Sequence, residues 1–102
     1  MKWDSPGYQR AILSWLEKRT ASRPESISYV FYMLGIEKTK KSKGSAFRRA
    51  KRQGRKWTVA DICKMADYYK EPPAEILTLI DAHYLRNKQF FDNPDNFMKL
   101  EE

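Results

Sequence analysis

The stretch SPGYQRAILSWLEKRTASRP (5–24) constrains the fold more than any other part of the chain. Tyr8, Ala11, Ile12, Trp15 and Leu16 recur at i, i+3, i+4, i+7 and i+8, the spacing that lines one face of an α-helix. Gln9, Arg10, Ser14, Glu17 and Lys18 fill the other side. Ser5 suits an N-cap, and Pro6 suits the first helical position, where a missing N–H costs nothing. The pattern stops near 19–22, and Pro24 closes it. One apolar stripe of this kind must be covered by further elements.

The next segment, SISYVFYMLGI (26–36), mixes β-branched and aromatic residues that suit a strand. It does not alternate, however, and Ile27, Val30, Phe31 and Leu34 fall at helical spacing. Ser26 can cap and Gly35 can end the turn in a left-handed conformation, so a helix is expected. A third helix is expected in GSAFRRAKRQG (44–54), capped by Ser45 and ended by Gly54. Its apolar face is thin: Phe47, Ala50 and the stem of Lys51.

A fourth helix should start at Thr58, with Asp61 at the third helical position near the positive end of the dipole. Val59, Ile62, Ala66 and Tyr69 are expected to face inward, flanked by Met65 and by Cys63, the latter as a small core hydrophobe. Pro72 and Pro73 break the chain and introduce a fifth helix over 74–91, with Ile76, Leu77, Ile80 and Tyr84 inward. Trp15 belongs to the first apolar face, Trp57 reads as a hydrophobic staple before the fourth helix, and Trp3 as a residue packing across the bundle. With no convincing strand, the expectation is an all-α, five-helix bundle over 1–91 and an irregular polar tail over 92–102.

Charge is distributed unevenly. The chain has 102 residues and a formal charge of +7. Residues 38–56, containing KKSKGSAFRRAKRQGRK (40–56), hold ten of its twenty Lys and Arg and no acid. The remainder carries ten basic residues against thirteen acidic ones. Solvated faces normally intersperse both signs, so a one-sign block calls for an anionic partner or for disorder that spreads the charge. An apolar content of 41% with aromatics along most of the chain argues for one folded domain.

Several function classes find no support. His83 is the sole imidazole and Cys63 the sole cysteine, so no zinc constellation, disulfide or Ser–His–Asp or Cys–His site can be drawn. The glycines of 44–54 lack the GxxxxGK[ST] spacing and a preceding strand. No enzyme activity, cofactor or metal is expected. MKWDSPGYQR has no apolar run after its positive charge, and ISYVFYMLGI (27–36) is too short to span a bilayer, so a soluble cytoplasmic protein is expected.

The order of these pieces resembles the phage-repressor (Xre-type) helix-turn-helix family. SISYVFYMLG (26–35) stands where that family has its second helix, and Phe47 and Ala50 where the recognition helix packs inward. WTVADICKMADYYKEPPAEIL (57–77) is similar to the segment that follows. Two features depart from the family pattern: Phe31 stands where a small residue is usual, and EKTKKSKGS lengthens the turn. The resemblance implies a repressor-type regulator that binds double-stranded DNA, with the N-terminal part of the third helix in the major groove. Ser45, Arg48, Arg49 and Arg52 are then the candidate base contacts, Arg48 and Arg49 foremost, since Arg bidentate to guanine is the commonest reading contact. Lys40, Lys41, Lys43, Lys51, Arg55 and Lys56 are candidate phosphate contacts.

If about half of the ten basic residues met phosphates, affinity would fall with salt at a log–log slope of roughly −4 to −6. Leu85, Phe90, Phe91, Phe97 and Met98 leave two options open: folding back onto the bundle, or a homodimer with half-sites roughly 34 Å apart. The residues also leave open an RNA-binding protein using the same segment, and a module docking an acidic or regulatory protein partner.

Overall fold

A computed structural model describes residues 5–38 and 44–93. They form α1 (Pro6–Ala21), α2 (Ile27–Met33), α3 (Ser45–Gln53), α4 (Val59–Tyr69), α5 (Pro73–Arg86) and α6 (Lys88–Asp92), with no strand among them. The described residues are all-α, with six helices where five were expected.

α1 is the axis, packing against α2 and α3 on one side and α5 and α6 on the other. Ser5 accepts the Tyr8 N–H at 3.2 Å and Pro6 opens the helix, as the sequence suggests. Having neighbours on both sides widens the buried stripe, so Leu13 joins Tyr8, Ala11, Ile12, Trp15 and Leu16 in the core. α2 starts at Ser26, whose side chain accepts the Tyr29 N–H, and ends at Gly35 with φ +79°. There the N–H groups of Ile36 and Gly35 return to the carbonyls of Phe31 and Tyr32, the paired bonds that satisfy a helix end through a left-handed residue.

α4 begins with a reciprocal box: Thr58 Oγ1 accepts from the Asp61 N–H, and Asp61 Oδ2 accepts from the Thr58 N–H. Ile62, Met65, Ala66 and Tyr69 are its buried side. Two inward assignments are corrected here. Val59 is 63% exposed, and Cys63 lies on the surface. The buried set 62, 65, 66, 69 fixes the helix rotation and leaves 59 and 63 on its outer edge.

The fifth helix divides at Asn87, whose φ −129° and ψ 33° are not helical. α6 then folds back against α1, and Phe91, 2% exposed, packs beside His83 and Tyr84. Arg10 Nη1 donates to the Phe91 carbonyl at 2.6 Å, and the Tyr84 hydroxyl donates to Asp92 Oδ1 at 2.8 Å. Gly7 permits this approach, since a Cβ there would overlap the Asp92 carboxylate and lie 3.2 Å from its Cα. Of the two options left open for the C-terminal apolar residues, Phe91 takes the first; Leu85 stays 69% exposed. Trp3, Phe97, Met98 and all the expected tail beyond Asn93 lie outside the described residues.

Candidate nucleic-acid interface

α3 carries the described part of the basic segment on a narrow foundation. Ala46 and Ala50, one turn apart, are buried and Phe47 is half-buried. Beneath them Phe31 is fully buried, edge-on to Phe47 at 5.9 Å and to Trp57 at 6.0 Å. Phe31 is thus the centre of a three-ring cluster supporting α3. Trp57 is 1% exposed, in the same core as Ile62 at the fourth position of α4, as a staple requires.

With 46 and 50 inward, positions 45, 48, 49 and 52 fall on the opposite face. Ser45, Arg48, Arg49 and Arg52 are all exposed, and together with Gln53 they line one shallow depression. The four candidate base contacts are therefore side by side. Arg49, Arg52 and the exposed Lys56 make no ion pair with an acid among the described residues.

Two of the candidate phosphate contacts are placed differently. Lys51 Nζ lies 3.7 Å from Glu17 Oε2 and 5.4 Å from the Phe47 ring centroid. Arg55 Nη2 lies 3.6 Å from Asp61 Oδ2, with the guanidinium 5.0 Å from the Trp57 ring centroid. Its Nε is buried with no hydrogen-bond partner. Both charges face acids of the same chain, which lowers their call on outside anions. Lys40, Lys41 and Lys43 lie outside the described residues.

Ser45 does not cap α3. The N-cap is Gly44, at φ +86°, a left-handed conformation that suits glycine. The cap comes from Glu37, whose Oε2 accepts the Ala46 N–H at 3.0 Å and the Ser45 hydroxyl at 3.4 Å. At the other end, Gly54 closes the helix as expected. Beyond it the side-chain amide of Gln9 grips the Trp57 backbone, Oε1 accepting its N–H and Nε2 donating to its carbonyl. Sequence reasoning missed Glu37 and Gln9. Neither has a spacing signal, because each acts across a gap that only the fold closes.

His83, the other singled-out polar residue, shares a hydrogen bond with Ser14 at 3.0 Å, away from α3. Burial, with Lys18 and Arg86 nearby, holds its pKa below the usual histidine value. No group of three or more His, Cys, Asp or Glu among the described residues is arranged to hold a metal ion. No described helix is long and apolar enough to cross a membrane. No protein-family model, curated protein or solved structure matches this chain.

Proposed function

We propose that this chain is a sequence-specific regulator of repressor type that binds double-stranded DNA, with α2 and α3 forming a helix-turn-helix whose turn is extended and basic. The observation that supports this most is the sorting of charge on and beside α3. Arg48, Arg49 and Arg52 share one exposed face, while Lys51 and Arg55 are turned to Glu17 and Asp61. A basic segment serving only as solvated surface has no reason to sort its cations in this way. Arg48 and Arg49 read bases, and Arg52 lies at the rim of the reading face. Lys56 and the turn lysines Lys40, Lys41 and Lys43 hold phosphates. Two copies bind as a dimer on a two-fold symmetric site, and Leu79 and Leu85 are exposed apolar residues of α5 available to join them.

Selection from a randomised duplex library at near-physiological salt tests the reading. The expected result is a symmetric motif. Replacing Arg48 and Arg49 by Ala should remove about 1–3 kcal/mol of base discrimination per reader, with unfolding free energy changed by no more than about 0.5 kcal/mol. Enrichment of no motif would overturn the reading and turn attention to structured RNA or an acidic protein partner.

A further inference from the structure

α3 presents two lines of side chains away from Ala46 and Ala50. Ser45, Arg49 and Gln53 follow one another at four-residue spacing, and Arg48 and Arg52 form a second line beside them. All five are exposed and line one depression, so the face is continuous from the first residue of the helix to the last. Gln53 is the member that the charge pattern does not account for. Its amide is uncharged, so it adds nothing to the pull on phosphate. What it offers is an acceptor oxygen beside a donating NH₂ on one planar group. No group among the described residues takes up either. Gln9 shows the same amide put to use inside the fold, where it accepts from the Trp57 N–H and donates to the Trp57 carbonyl. Adenine also sets a donor beside an acceptor on its major-groove edge, N6 and N7, and a glutamine amide pairs with both at once.

We propose that Gln53 is a specificity-determining residue that reads adenine in the major groove, alongside the arginines of α3. This rests on the DNA-binding reading above and deepens it by naming a base that the basic pattern does not select. α3 has nine residues, roughly 13 Å at about 1.5 Å each. A helix that short, lying along the groove, keeps its last residue as near to base edges as its middle. Gln53 stands one turn, roughly 6 Å, beyond Arg49. Base pairs stack about 3.4 Å apart, so its adenine falls about one or two pairs from the guanine that Arg49 reads. A cation at this position would hold phosphate on any sequence. An amide gains only where the base edge fits, and so sharpens the choice among sequences without raising sequence-blind affinity.

The test repeats the duplex selection with wild type, Q53A and Q53E. It then measures each protein on the enriched duplex and on that duplex with single base pairs changed, with a thermal melt of each protein. Wild type should favour A·T at one position of each half-site by about 5- to 150-fold, the worth of one bidentate pair. Q53A should lose that preference, keep the guanine preferences beside it, and leave the log–log salt slope within about 0.5 of wild type. Q53E exchanges the donating NH₂ for a second acceptor, and should shift the same position toward cytosine, whose N4 donates. A purely structural role at the end of α3 would instead weaken all positions together. The variants differ in size and charge, so the adenine preference can be read in one where the other melts early. Q53A with its adenine preference intact, a uniform loss on every sequence, or a Q53E position that does not move toward cytosine would each overturn the proposal and leave the DNA-binding reading standing. A wild-type protein that selects no duplex motif removes that reading itself, a result seen before either variant is made.

Discussion

α1 buries eight of its sixteen residues and turns even its arginines to the fold, whereas α3 fully buries only Ala46 and Ala50 and turns Arg48, Arg49 and Arg52 out. On α1, Arg10 donates to the Phe91 carbonyl, and Arg19 pairs with Glu71 and lies over the rings of Trp15 and Tyr69. The side-chain type is the same in both helices. Around Arg10 and Arg19 a carbonyl, two rings and an acid stand within reach, whereas Arg49 and Arg52 pair with no acid among the described residues. The comparison teaches that a guanidinium is structural or available according to its neighbours, and that stability and binding should separate between these helices.

The largest expected effect tests that separation directly. Leu16→Ala, at a fully buried position of α1, should cost about 2–5 kcal/mol in urea unfolding. Arg49→Ala or Arg52→Ala should move the same transition by no more than about 0.5 kcal/mol. Losses of similar size in both helices would erase the contrast.

A smaller effect sharpens it at the exit of α3. Thr58→Ala removes the side chain that accepts the Asp61 N–H, and should cost about 1 kcal/mol. Since Arg55 faces the same Asp61 carboxylate, amide exchange should quicken at 55–61 as well as within α4. Loss confined to α4 would show that Arg55 is held by the Trp57 ring instead.

The smallest effect belongs to the α1 side. Burial, with Lys18 and Arg86 nearby, disfavours the charged form of His83 in the folded chain and holds its pKa below the ordinary histidine value of 6.5. The unfolded chain therefore takes up the proton first, so this contribution is complete above pH 6.5 and declines as pH falls below it. Unfolding curves for wild type and H83Q should converge on acidification. A gap that widens would mean that the ring gains a partner for its charged form.

Residues that act on their own helix were legible in the sequence. Ser5, Ser26, Thr58 with Asp61, Gly35, Gly54 and the Pro72–Pro73 break all mark ends where the structure has them. Local hydrogen bonding and permitted φ values decide such positions. The side-by-side face of Ser45, Arg48, Arg49 and Arg52 was legible for the same reason, as it follows from helical period alone. Rotation and reach were not. A period of 3.6 cannot say whether Cys63 or Met65 wins the core side of α4, or that neighbours on both sides of α1 bury Leu13. Asn87 carries no break signal as strong as proline, and α6 turns there to bring Phe91 onto α1. Glu37 supplants Ser45 as the cap of α3 from nine residues before Ala46, a distance set by the turn and not by any local pattern.

The grip of Gln9 on Trp57 bears on how quickly α3 can engage a ligand. Both polar groups of the Trp57 backbone are held by the first helix of the chain, and its ring is 1% exposed. Fraying of the segment that leaves α3 must break the grip and withdraw the ring from the core. On the DNA-binding reading proposed above, α3 would meet the duplex already ordered at its exit, with little left there of the roughly 1–2 kcal/mol per residue that ordering a backbone costs. On that reading its capture rate would be set by collision and electrostatic steering, and not by the wait for a helix to form.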